Sequence, residues 1–163
     1  MKKFKLTSEF IVDISGVKLF RIKALIEFGN VKAGDLGGYI EKEENLSHMG
    51  NAWVSGNAQV SGDARVSGNA QVSGNARVFG DAQVSGDARV SGDKDYAYAH
   101  GFGSCNRTTT FFRLKDGDVG VRCGCFYGTL AQFRDKVCET HGETKKAQEY
   151  LMLADLMEIR FKN

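Results

Sequence analysis

At 163 residues the chain is long enough for one domain, or two small units sharing a core, and too short for a large multidomain enzyme. Twenty glycines, about 12% of the residues, and no proline mark a repetitive, turn-rich polypeptide. Twenty-two basic against 20 acidic side chains leave a net charge of only +2, which argues against wrapping duplex nucleic acid or coating an anionic membrane surface.

The chain opens on Lys2 and Lys3, but Ser8, Glu9 and Asp13 interrupt any apolar run before it could serve as a signal peptide, and no later segment reads as a membrane span. Without an export signal the four cysteines should stay reduced, and the expectation is a cytoplasmic protein. Residues 9–14 and 17–28 read as a β-hairpin across Ser15-Gly16, because Phe20, Ile22, Ala24, Ile26 and Phe28 alternate with Arg21, Lys23 and Glu27. We assign residues 1–32 as an N-terminal β-hairpin cap. The stretch VKAGDLGGYIEKEENLS leads on, its glycines marking tight turns.

Seven hexads follow over residues 51–92: NAWVSG, NAQVSG, DARVSG, NAQVSG, NARVFG, DAQVSG and DARVSG. Ala and Val two apart point to one side of a short strand, while Trp53, Gln59, Arg65, Gln71, Arg77, Gln83 and Arg89 point outward. Each Gly-Asn or Gly-Asp pair supplies a corner. A strand and a corner every six residues cannot form hairpins, but can wind a solenoid. The pattern resembles the hexapeptide-repeat, left-handed parallel β-helix proteins, in which three hexads make one 18-residue coil. The same register reaches upstream, since Leu36 is 18 before Val54 and Ile40 is 18 before Ala58, with Leu46 six before Ala52. Lys42 and His48 then fall where Val should be and predict outward bulges. The solenoid is assigned to residues 33–95, with both open ends requiring cover.

Residues 96–163 form a C-terminal α+β unit of ββαα order. Thr108–Lys115 and Asp118–Phe126 flank Asp116-Gly117, a two-residue hairpin signal. That turn pairs Thr110 with Cys123, Phe112 with Val121 and Leu114 with Val119 on a core face shared with Cys125. A helix follows, with Thr129 as N-cap, Gln132 completing a capping box and Gly142 as the stop. From about Thr144 to Phe161, Ala147, Tyr150, Leu151, Ala154, Met157 and Phe161 form one helical stripe. The fold expected is thus mainly β, a left-handed parallel β-helix between a hairpin cap and an α+β unit.

Three histidines, His48, His100 and His141, are too scattered to converge on a metal, so no metal site and no cofactor is assigned. An acyltransferase of the hexapeptide type would need a histidine base and a long loop for coenzyme A, and no such loop is visible. Cys123 and Cys125 read as core thiols. Stacking every 18 residues places Trp53, Gln71 and Arg89 on one flat face, which with Phe79 makes a candidate oligomer interface.

The candidate binding site is the loop GFGSCNRT. Gly103 permits close approach, Ser104, Asn106 and Thr109 offer hydrogen bonds, and Arg107 offers a planar fork for phosphate or carboxylate. The hairpin register sets Arg107 opposite Phe126, beside Gly128-Thr129 at a helix N-terminus with N–H groups for an anion. Arg122 lies along the same face, Gly124 leaves room between them, and Phe126 or Tyr127 could stack on a base.

Two segments, RIKALIEFGNVKAGDLGGYIEKEENLS before the repeat and GFGSCNRTTTFF with CGCFYGTLAQF after it, resemble a group of small hexapeptide-repeat proteins encoded by bacteriophages and prophages. The resemblance implies the fold and a phage origin. It suggests a non-enzymatic homotrimer that sequesters a phosphorylated small molecule or cyclic nucleotide used in host defence. Two other readings stand beside it. A structural or protein-binding module would retain one stoichiometric partner, and a divergent acyltransferase would turn over acetyl-coenzyme A.

Overall fold

The computed structural model describes residues 2–103 and 107–162. Strands β1 (Phe4–Val12) and β2 (Lys18–Ala24) form the N-terminal antiparallel hairpin, five residues longer at its start than the alternation predicts. Its turn is held by Asp13, whose carboxylate accepts the N–H groups of Ser15 and Val17. Ile22 and Ala24 are buried, as alternation requires, but Phe20 is only half-buried and Leu19, of the opposite parity, is buried. Strand β3 (Leu36–Ile40) joins this hairpin to the repeat: one edge pairs antiparallel with β2, the other parallel with Gln59 and Val60. Gly37 and Gly38 allow this, because a Cβ on either would meet the backbone of the next coil at 2.5 to 2.7 Å.

The hexads form seven two-residue strands: β4 (Trp53–Val54), β5 (Gln59–Val60), β6 (Arg65–Val66), β7 (Gln71–Val72), β8 (Arg77–Val78), β9 (Gln83–Val84) and β10 (Arg89–Val90). They stack in parallel at an 18-residue interval into three ladders, β4-β7-β10, β5-β8 and β6-β9. The rule is visible in single bonds: Gln59 N–H donates to the Ala76 carbonyl at 2.9 Å and Ser61 N–H to the Val78 carbonyl at 2.9 Å. Every hexad Ala and Val is at most 1% exposed, so the interior is filled by two side-chain types. Identical corners lie on one another. At Gly68, φ is +64° and an added Cβ would stand 2.8 Å from the Gly86 nitrogen.

The first coil departs from the predicted register. Ile40 pairs with Val60, and Leu46 bridges to Val66, each 20 residues on rather than 18. Ser47 N–H already donates to Val66 at the 20-residue register, whereas Asn51 N–H returns to Gly68 in the regular one. The two extra residues therefore sit in the corner containing His48 and Met49. Ile40 and Leu46 occupy the Val positions, Lys42 does not, and Leu36 stays on the hairpin side, 56% exposed.

A parallel coil has unlike ends, one presenting unpaired carbonyls and the other unpaired N–H groups. At the carbonyl end cations answer: Lys3 Nζ donates to Ala52 at 2.7 Å and Arg21 Nη1 to Gly37 at 3.0 Å. At the N–H end oxygens answer. Arg77 N–H donates to Asp93 at 2.7 Å, Ser91 N–H to Asp95 at 3.0 Å, Gln83 N–H to Thr110 Oγ1 at 2.9 Å and Asp87 N–H to the Tyr127 hydroxyl at 3.3 Å.

Among the described residues the C-terminal unit contains four strands, twice the predicted number. β11 (Tyr96–His100), β12 (Thr108–Arg113), β13 (Val119–Cys123) and β14 (Phe126–Thr129) form an antiparallel meander, followed by α1 (Leu130–His141) and α2 (Lys145–Arg160). The β12–β13 register is one residue off the predicted one, with Phe111 opposite Val121 and Phe112 opposite Gly120. The cause is the turn: Leu114 N–H donates to Asp118, leaving a three-residue Lys115–Gly117 loop instead of a two-residue one. The slip exchanges the faces. Phe111, Val121 and Cys123 meet the helices, whereas Phe112, fully buried, enters the column's core cluster with Val84 and Val90.

Candidate functional site

Both helices are set by their caps. Thr129 Oγ1 accepts the Gln132 N–H and Gln132 Oε1 accepts the Thr129 N–H, and Thr144 Oγ1 accepts the Ala147 N–H. Phe133 of α1 is the hub of the sheet–helix layer. Its ring lies 6.1 Å from Phe111, 5.8 Å from Phe126 and 5.6 Å from Tyr150 of α2, all tilted or edge-on.

A cleft of about 550 Å³ opens beside this cluster. Its cationic side chains are Arg107 and Lys136, with the His141 ring near by, and its rings are Phe126, Tyr127, Phe133 and Tyr150. Arg107 lies flat over Gly124, at a place where a Cβ would overlap the guanidinium. Gly124, at φ +58°, forms the two-residue β13–β14 turn with Cys125. That turn ends the strand predicted to run through Phe126, and it leaves Cys125 exposed rather than on the core face. Cys123 is buried as expected: Thr109 Oγ1 donates to its Sγ at 3.2 Å.

The predicted site is thus redistributed. Arg107, Phe126 and Tyr127 line the cleft, and Gly124 supports Arg107 from below. Ser104 and Asn106 lie outside the described residues. Gly103 packs against the Tyr150 ring and donates its N–H to Glu149 at 2.8 Å. Thr109 is buried and bonded to Cys123, because the one-residue slip turns it inward. Arg122, paired with Tyr127 and Thr110, faces the column and borders a separate cleft with Glu43, Glu44, His48 and Arg65. Gly128 and Thr129 lie at the start of α1, where the capping box engages the Thr129 amide and hydroxyl. Tyr127 is only partly available: its hydroxyl accepts from Asp87 and its ring stacks on Phe112 at 6.2 Å.

Sequence reasoning missed Lys136, Val137, Thr140 and His141. They recur from Phe133 at three- and four-residue intervals, so α1 presents one continuous face to the cleft. That helical spacing was the available signal.

The proposed oligomer face also changes. Trp53 is 4% exposed, edge-on to Phe28 at 5.3 Å and covered by β2 and β3, so it cannot contact another chain there. Gln71 and Arg89 stack with it as predicted, but each donates to a neighbouring coil's carbonyl, at Asn51 and Asn69. Phe79 remains half-exposed against Tyr98.

The histidines are separate. His48 stacks on Phe4 at 4.3 Å and accepts the Lys3 N–H, His100 meets Thr108 Oγ1 at 2.8 Å, and His141 lies 5.7 Å from Tyr150. Among the described residues no three His, Cys, Asp or Glu side chains are grouped to hold a metal ion.

Two buried groups shift most. Burial lowers Lys3 to about 8 and raises Tyr96 to about 12. Burial also opposes the Asp95 charge, but bonds from Ser91 and Arg113 outweigh it and hold the carboxyl below its usual range.

These features define a β-solenoid repeat protein that is mainly β and ends in a two-helix region. Residues 58–72, 70–82 and 82–93 match the YdcK beta solenoid repeat, placing that likeness in the column. No curated protein matches the chain. No helix among the described residues is long and apolar enough to cross a membrane.

Proposed function

We propose that the protein is a non-enzymatic binding protein whose C-terminal unit holds a phosphorylated, nucleotide-like small molecule in the cleft beside α1. The observation that carries this reading is the pairing, in one cleft, of the Arg107 and Lys136 cations with a wall of aromatic rings. Guanidinium and ammonium groups suit phosphate oxygens, and ring faces suit a base. The column serves as a rigid mount. We take it to wind left-handed, as the resembling families do, with the N-terminal hairpin as its cap.

The phage-group resemblance supports a role in sequestering a host defence signal in the bacterial cytoplasm. The expected assembly is a homotrimer. Self-association is favoured by Met152, Leu156 and Ile159 of α2, which are 71%, 55% and 73% exposed and form one stripe at spacings of four and three. A second copy of the chain is the occupant we assign to that stripe. Native mass that falls to one subunit in Leu156→Lys supports it, and a monomeric wild type removes it.

Calorimetric titration with cyclic nucleotides and ADP-ribose derivatives tests the cleft. Binding that is lost in Arg107→Ala and in Lys136→Gln is expected. Binding unchanged by both variants contradicts the site, and acetyl-coenzyme A turnover would replace the reading by catalysis.

A further inference from the structure

A second cleft, of about 640 Å³, lies where the last coil meets the C-terminal unit. It collects Arg89 of β10, Lys94 after it, Arg113 and Lys115 at the β12 turn, and Arg160 and Lys162 at the end of α2. Against these six cations stands one carboxylate, Asp95. The described lining side chains therefore carry a formal charge of +5, six minus one, against +2 for the whole chain.

Three of the cations are fixed in place. Arg160 Nη2 donates to the Asp93 and Tyr96 carbonyls at 3.1 and 3.2 Å, Arg113 Nη2 to Phe161 at 3.2 Å, and Arg89 Nη1 to Asn69 at 3.1 Å. These partners are neutral carbonyls, which orient the guanidiniums; among the described residues, Arg113 alone of the three is also paired with a carboxylate, Asp95. Asp95 is already engaged: it accepts from Ser91 N–H and Oγ and from Arg113 Nε at 3.3 Å. Lys94, Lys115 and Lys162 are exposed and complete the ring. Holding six like charges together costs free energy that a bound polyanion would relieve.

We infer that this cleft is a binding site for a compact, multiply charged anion of the condensed-phosphate class. Among the described residues the lining contains no aromatic side chain and only Leu114 as a large apolar group, so they offer no ring for a base. Charge and phosphate oxygens are what it can recognise. In this it differs from the aromatic cleft beside α1, with which it shares no lining residue.

The test is calorimetry of the full chain with inorganic tripolyphosphate at about 150 mM salt, a concentration that screens scattered surface charge. One site per chain is expected. Lys94→Gln/Lys115→Gln/Lys162→Gln should weaken it at least about tenfold, as the loss of charge-assisted contacts requires. Because all three side chains are exposed, the melting temperature should be unchanged. Lys136→Gln in the other cleft should leave tripolyphosphate binding intact, which separates this inference from the proposed function. Four outcomes overturn it: no binding, equal binding by the triple variant, equal loss in Lys136→Gln, or displacement of tripolyphosphate by a single-stranded oligonucleotide at equal phosphate concentration.

Discussion

The column and the C-terminal unit solve the same burial problem in opposite ways. Over residues 51–92 the interior is Ala and Val repeated, each position supported by its copy 18 residues away. Beyond Asp93 hardly any contact recurs: Phe133 touches three different rings, Thr109 serves a thiol, and β12 divides its side chains between two cores. Repetition fixes shape and leaves little room for a cleft that differs from its neighbours. Irregularity is where the two clefts proposed as binding sites arise, one aromatic and one not. The lesson is that the repeat carries the architecture while its termination carries the chemistry.

The joint between the two regions offers the sharpest way to break that division. Phe112→Ala empties the side chain that β12 inserts into the column and should cost about 3–5 kcal/mol, read as a fall in the urea midpoint. A loss below about 1 kcal/mol would mean that the column is closed by other residues.

The opposite end gives a pH signature. Lys3 is buried and lowered to about 8, below its unfolded value, so the unfolded chain binds more protons. The destabilisation is fully present below about pH 8 and is relieved as pH rises toward 10.5. Between pH 7.5 and 9.5 the wild type should gain about 2 kcal/mol relative to Lys3→Met. Parallel stability curves for the two proteins would show that Lys3 does not answer the Ala52 carbonyl as a buried cation.

Within the column, Gly68→Ala meets both a left-handed φ and the next corner, and should cost about 1–3 kcal/mol. Gly117→Ala, at φ +90° with open space around it, should lose about 1 kcal/mol from the backbone alone. Equal losses would deny that stacked corners limit the column. The smallest effect belongs to the site: Arg107 is exposed, so Arg107→Ala should change stability by less than about 0.5 kcal/mol while abolishing ligand binding.

What the sequence made legible follows the same division. Hexad spacing yields the seven strands and their 18-residue pairing because each position is repeated, and a capping box plus Gly142 yields α1 with its ends. The first coil differs from the hexad register by two residues because the insertion at His48 and Met49 has no periodic mark. β11 was overlooked since Tyr96–His100 is too short to stand out, and β14 because the Gly124-Cys125 turn was read as continuous strand. Part of the candidate site was legible: Arg107, Phe126 and Tyr127, grouped from the sequence, line one cleft. Thr109 and Arg122 went astray through one assumption, a two-residue turn at Asp116-Gly117 where the chain makes a three-residue loop. Trp53 was misassigned because alternation specifies which side a residue takes, not what later covers it.

The most direct measurement is a native mass spectrum of the protein purified gently from bacterial cells that contain nucleotide signals. The account predicts an oligomer carrying one phosphorylated small molecule per chain, absent from the Arg107→Ala/Lys136→Gln protein of the same subunit number. A wild-type spectrum at the bare chain mass after mixing with the nucleotide panel, or a retained nucleotide that survives both substitutions, would contradict it.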